Sequence, residues 1–227
     1  MTYSSEPPTD HANSLQTRLD EITTNTRALV QPERLAITDA WIAELFTTGI
    51  EDRVLGVGAK APEFSLPDGT TGKAVRSSDL LAVGPLVLKF FRGRWDPYDM
   101  TDLMAWQASY AEVRRRGALL VAVSPQLQRQ NDFTAGQHSL TFPLLTDAGC
   151  ALAESFGMAY ALPEHMQVHM RSILINIPFT NGDATWRLPL PATFVIGQDG
   201  SILFSEAHAD YRVRPEPADV LAALPGK

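Results

Sequence analysis

The run Pro85-Leu86-Val87-Leu88-Lys89-Phe90-Phe91, followed at once by Arg92-Gly93-Arg94-Trp95-Asp96-Pro97-Tyr98-Asp99, decides how this chain is read. The first part is short, dense and apolar, as a fully buried strand requires. After it, Met100, Leu103, Trp106, Tyr110 and Val113 recur at spacings of three and four. That periodicity predicts a helix over roughly 96–116. Arg114-Arg115-Arg116 suits the negative end of its dipole, and Gly117 suits its C-terminal cap. A buried strand running through a short turn into a helix N-terminus is where open α/β folds place their chemistry.

Outward from this centre the same alternation continues. Leu15 to Leu29 and Pro32 to Leu45 carry helical apolar stripes, with Gly49 as a stop for the second. Phe64-Ser65-Leu66, the turn Pro67-Asp68-Gly69 and Lys73 to Val75 read as a small hairpin. Ala118 to Val123 is a second buried strand, Phe142 to Leu145 is strand-like, and Asp147 caps a helix through Phe156. Pro163 to Leu174 predicts a helix, 175–190 an irregular stretch, and Glu216 to Leu224 a closing helix. Ala192 to Ile196 and Ile202 to Ser205 flank the turn Gln198-Asp199-Gly200. Strands alternating with helices predict an α/β fold with a central mixed sheet flanked by helices. Residues 1–54 are expected to be a mobile tail (1–12) and a helical extension, and residues 55–227 the main domain.

Composition narrows the function. The 227 residues are 44% hydrophobic and 20% charged, enough to bury a sizeable core, and the formal net charge is −7. With no polybasic run, nucleic acid and anionic membranes are poor partners. No apolar stretch reaches transmembrane length, and the start of the chain lacks a signal-peptide core, so a cytoplasmic protein is expected. One cysteine, Cys150, excludes an intrachain disulfide. The helical lead-in is a candidate homodimer contact.

Four blocks resemble the alkyl hydroperoxide reductase/thiol-specific antioxidant superfamily, in its peroxiredoxin-like branch. They are Val57-Gly58-Ala59-Lys60-Ala61-Pro62-Glu63-Phe64-Ser65-Leu66, Gly84 through Trp95, Leu145-Thr146-Asp147-Ala148-Gly149, and Leu190-Pro191-Ala192-Thr193-Phe194-Val195-Ile196. The stretch Asp210-Tyr211-Arg212-Val213-Arg214-Pro215-Glu216-Pro217 also fits. The resemblance implies a thioredoxin-like fold, and a cis Leu190–Pro191 bond facing the active turn. That branch carries Trp-Cys-Pro-Tyr-Cys at the turn, whereas this chain reads Trp95-Asp96-Pro97-Tyr98-Asp99. A carboxylate cannot pass through a sulfenic acid, so thiol peroxidase chemistry does not carry over.

Two readings of the acids stand side by side. Asp at the N-cap, Pro at the first helical position and an acid at the third make a favourable helix start, worth roughly 1 kcal/mol. The same positions let both carboxylates face the former peroxide pocket, Asp96 as proton-transfer residue or nucleophile and Asp99 as its orienting or second acid. Arg92 or Arg94 would stabilise an anion. Trp95, Tyr98, Trp186, Pro191 and His208 are expected pocket residues, and as aromatics several are also ordinary core candidates. His165 and His169, at i, i+4, have a metal-compatible spacing but no completing acid, and read as solvated histidines. Gly56-Val57-Gly58 lacks the context of a nucleotide loop. The expectation is therefore a cysteine-independent acid–base enzyme. Its substrate would be a small organic molecule, of the kind a biosynthetic pathway supplies, handled without cofactor or metal. The alternative is a non-catalytic binding or regulatory module.

Overall fold

The computed structural model describes residues 14–226. The expected tail, 1–12, lies outside them. Helices α1 (Leu15–Leu29) and α2 (Pro32–Thr47) precede a hairpin of β1 (Ser65–Pro67) and β2 (Ala74–Arg76) and the short helix α3 (Ser77–Val83). The centre comes next as β3 (Leu86–Phe90), α4 (Pro97–Arg115), β4 (Leu119–Ser124), α5 (Gln128–Gln137) and β5 (Leu144–Thr146). Then come α6 (Ala151–Ser155), β6 (Ala159–Ala161), α7 (Glu164–Ser172), α8 (Ile177–Asn181) and β7 (Arg187–Pro189). The chain closes with β8 (Ala192–Ile196), β9 (Ile202–Ala207) and α9 (Pro217–Ala222).

The main sheet has the order β5-β4-β3-β8-β9. β3 runs parallel to β4 and antiparallel to β8, so the sheet is mixed, as expected. All five residues of β3 are buried, because both faces are covered. Leu86, Leu88 and Phe90 face a core shared with Phe156, Phe194 and Trp41. Val87 faces the other core, with Met100, Leu103 and Trp106 of α4 and Val220 and Leu221 of α9. Lys89 points to that same side, and its charge must therefore be met inside the protein.

Helix α1 packs against α4. Leu15 and Leu19 pack in a cluster with Tyr98 and Ala105 of α4. The first turn of α1 is tied down by the Glu216 carboxylate, which accepts from the Leu15 and Gln16 amides, both at 3.0 Å. Here an acid 200 residues away meets the orphan amides of a helix start.

Three expectations need correction. The Leu190–Pro191 bond is trans. On either side of the bond the Leu190 amide donates to Met158 O at 2.9 Å and the His208 amide to Pro191 O at 3.4 Å, and trans is the intrinsically favoured isomer. Segment 175–190 is not irregular throughout: it holds α8 and β7, and β7 pairs with β6. The helix after Asp147 breaks at Gly149 and Cys150, which take left-handed φ of 68° and 61°. Asp147 still caps α6 beyond the break, accepting from the Leu152 and Ala153 amides at 2.8 and 2.9 Å.

Candidate functional site

At the C-terminal end of β3 the chain turns through Arg92–Trp95 into α4 with Asp96 as the N-cap. Asp96 Oδ1 accepts from the Tyr98 amide at 3.0 Å, and Pro97 occupies the first helical position. Asp96 Oδ2 accepts from Arg92 Nε at 2.9 Å and also from Arg92 Nη2. The carboxylate is 1% exposed, so this ion pair sits out of water. The Arg92 guanidinium stacks over Tyr211, 3.8 Å from its centroid, and lies 5.1 Å from that of Trp95. The turn itself needs Gly93: a Cβ there would sit 2.6 Å from Trp95 Nε1.

Asp99 departs from the expected placement. Its side chain is fully buried behind the turn rather than in the cleft wall. Oδ2 accepts from the Arg92 and Gly93 amides at 2.7 and 3.2 Å, and Oδ1 accepts from Arg214 Nη2 at 2.8 Å. Arg214 Nε in turn donates to Asp102 Oδ2 at 3.0 Å, the same oxygen that Lys89 Nζ approaches at 2.5 Å. Lys89 also donates to Thr193 Oγ1 at 3.0 Å. Lys89, Asp102, Arg214 and Asp99 thus alternate in one buried run of charges, and the Arg92–Asp96 pair joins it through the Arg92 backbone amide, three cations balancing three acids. Third-position Asp99 closes no capping box, because the Asp96 amide donates to Gly93 O instead.

Burial sets the proton affinities. Desolvation pushes the Asp96 carboxyl up to about 6, against the opposing pull of Arg92. The Arg92 guanidinium is itself buried, a cost outweighed chiefly by Asp96, and stays charged. Desolvation lowers Lys89, with Asp102 opposing. Cys150 is fully buried and its thiol is raised, first by desolvation and then by Asp147, so it is no activated nucleophile.

Arg92, Trp95, Asp96 and Tyr98 line part of a cleft of about 280 Å³. Its walls are mostly apolar: Leu35 and Trp41 come from α2, Met166 and Met170 from α7, and Leu188 from β7. Of the other expected pocket residues, none borders it. The Arg94 guanidinium lies over Phe133 at 4.4 Å, while its amide donates to Gln126 Oε1 at 2.8 Å. Trp186 is buried under Arg171. Pro191 immediately precedes β8 at the same end of the sheet, since its neighbour Ala192 pairs with Phe90. His208 pairs with Glu206 at 2.9 Å.

His169, read as solvated, instead sits 9% exposed in the cleft wall, with its pKa lowered by burial and then by the charge of Arg34. His165 is exposed, 3.7 Å from Glu44. Sequence reasoning missed Tyr211, Arg214, Asp102 and the whole α2 wall. A lysine inside an apolar strand was the available signal, because it demands a buried acid. Among the described residues no cluster of three or more His, Cys, Asp or Glu is arranged to hold a metal. No helix among them is long and apolar enough to cross a membrane.

The fold and the strand–turn–helix site define a thioredoxin-like scaffold of the peroxiredoxin type. The chain belongs to the AhpC/TSA family, whose pattern matches residues 57–205. It is 31% identical over 100 residues to peroxiredoxin Bcp of Bacillus subtilis, a match spanning 44% of this chain and 62% of that protein. Peroxidoxin BcpB of Mycobacterium tuberculosis is 24% identical and superposes with a TM-score of 0.58, covering 74% of this chain and 96% of that one. A PrxQ mutant of Xylella fastidiosa is 17% identical, with a TM-score of 0.57 over 74% of this chain and 94% of its own. These two structures show the fold alone.

Proposed function

We propose that this family member works without a thiol, binding a small organic molecule in the cleft and exchanging a proton with it through Asp96. The observation that carries this reading is a buried carboxylate in the wall of an apolar cleft, pushed up to about 6 by desolvation. A group with that proton affinity is divided between acid and base near neutral pH, as general acid–base catalysis requires. Of the roughly four lone-pair sites of a carboxylate, Tyr98 and Arg92 take three, which leaves one to meet a substrate proton. Arg92 serves as counter-ion and stabilises negative charge that develops beside it. Asp99 is a positioning residue, fixing the Arg92 and Gly93 backbone from behind. Arg94 takes no part.

A second reading has one observation in its favour. The six buried charges balance, and the hydrogen bonds to Asp96 already make a complete cap and ion pair. On that reading the cleft binds without reacting, and the chain is a binding or regulatory module. Turnover of a panel of small cleft-sized substrates by wild type and Asp96→Asn separates the two. Proton transfer requires a loss of roughly two to four orders of magnitude in the variant, with binding kept. Equal turnover by both proteins rejects the catalytic role of Asp96.

A further inference from the structure

The cleft wall also carries polar groups from α2 and α7. Arg34 is exposed at its rim, whereas Asp96 is buried. Among the described residues no side-chain partner meets the Arg34 guanidinium, and none meets the His169 ring. Both border the cleft, close enough for the charge of Arg34 to act on His169. Other cations around the site are spoken for: Arg92 by Asp96, Arg214 by Asp99 and Asp102, and Arg212 by Asp39 and Asp210. On a chain of net charge −7, an unpaired guanidinium beside an unpartnered imidazole at a cleft rim is an anion-reading pair. The apolar wall includes Leu35, Leu162, Met166, Met170, Ile175 and Leu188.

We propose that the ligand of this cleft is an amphipathic carboxylate, its apolar body lying along the methionine and leucine walls and its carboxylate accepting from Arg34 and His169 at the rim. This rests on the small-molecule reading above and names its substrate class. One planar guanidinium matches one carboxylate in a two-point fork. Neutral His169 adds an N–H donor without a second charge. Arg34, Thr26, Val30, Leu35, Thr38 and Trp41 all lie outside the residues matched by the family pattern. The guanidinium thus comes from α2, outside the matched residues, whereas His169 comes from α7 within them.

Titration calorimetry with octanoate and 1-octanol tests it on the full chain. Octanoate is expected to bind about 3- to 10-fold tighter than 1-octanol. Arg34→Gln, at an exposed position, removes that difference while leaving 1-octanol binding unchanged. Thr38→Trp, which fills the cleft from a half-buried wall position, weakens both probes at least tenfold. Equal affinity for the two probes in wild type, or an octanoate preference that survives Arg34→Gln, overturns the carboxylate assignment. Absence of binding by either probe overturns the amphipathic ligand altogether. Asp96 is unaltered in every arm, so these results stand apart from the turnover comparison that decides its proton-transfer role.

Discussion

Arg214 Nη2 donates to Asp99 Oδ1 at 2.8 Å across 115 residues of sequence, and the two side chains are 1% and 0% exposed. The C-terminal segment thereby grips the Arg92–Trp95 turn from behind, because Asp99 in turn holds the Arg92 and Gly93 amides. Arg214 also meets Asp102, which meets Lys89 in the sheet. Turn, helix, sheet and C-terminal segment are joined through four buried charges rather than through packing alone.

Arg214→Met is accordingly expected to cost about 3–5 kcal/mol, because it leaves Asp99 and Asp102 in the interior with one fewer cation than their charges need. At roughly 2–4 °C per kcal/mol for a chain of this size, the melting temperature falls by about 6–20 °C. Chemical denaturation with an unchanged m-value measures it. A loss below about 1 kcal/mol would mean that the network contributes little. The triple change Lys89→Met, Asp102→Leu, Arg214→Met removes charges together and is expected to cost less than the single change, apart from the Asp99 charge it strands.

Stability against pH carries the signature of Asp96. Its carboxyl is raised from 3.8 to about 6 in the folded protein, so the native state holds the proton more tightly than the unfolded chain. Protonation therefore favours the fold. The Asp96 contribution increases as pH falls from about 6 toward about 4, and is lost as pH rises through 6. Two pKa units correspond to about 3 kcal/mol at most. Other carboxylates, such as Asp210 and Asp199, are lowered and act in the opposite sense. The quantity to measure is thus the difference between wild type and Asp96→Asn in urea unfolding at pH 4.5 and 7.5. A difference that is flat with pH would place the Asp96 pKa at its ordinary value.

How far the sequence can be read depends on the reach of each interaction. Asp96-Pro97 is a local signal, and the cap it predicts is present. β8 falls on the expected Ala192–Ile196, because a β-branched and aromatic run before a Gly-containing turn has few alternatives. α5 leaves no sequence signature, since Gln128-Arg129-Gln130-Asn131-Asp132 offers almost no apolar period; its Asn131 is nevertheless fully buried and bonds to Ser124 Oγ at 2.9 Å. Asp99 reads as the third position of a cap, and only tertiary contact with Arg214 shows that it faces the C-terminal segment. Trp186 and His208 are candidates by their chemistry, which says nothing of direction. His169 reads as solvated because helical spacing alone does not reveal that α2 packs against α7.

Cys150 is expected to be inert in the folded protein. It is fully buried and its thiol pKa is raised by desolvation, so little thiolate forms near neutral pH. Ellman's reagent should leave it untouched for hours in buffer and modify it within minutes in 6 M guanidinium. Cys150→Ser should leave any residual peroxide consumption unchanged. A rapid native-state reaction, or a reductant-dependent peroxidase activity that disappears in the variant, would restore sulfur chemistry to this chain.

Asp96 carries two jobs that one substitution cannot separate but two can. As N-cap it gives Oδ1 to the Tyr98 amide, and as counter-ion it gives Oδ2 to Arg92. Asn caps nearly as well as Asp, and its amide oxygen can still accept from Tyr98. Asn cannot take a proton near neutral pH, and it leaves Arg92 without a full charge partner. Asp96→Ala loses the cap as well, worth about 0.5–2 kcal/mol, in addition to the ion pair. Both variants therefore share the loss of the counter-ion, and Ala should be the less stable by about the value of the cap. Catalysis must order them differently. If Asp96 transfers the proton, Asn and Ala lose turnover alike, by roughly two to four orders of magnitude, although their stabilities differ. Glu at the same position restores a carboxylate on a longer arm, so partial rescue by Asp96→Glu marks a proton-transfer role that a structural one would not show. Turnover that instead tracks melting temperature through Glu, Asn and Ala would assign Asp96 to the helix start and the ion pair, and leave the cleft as a binding site.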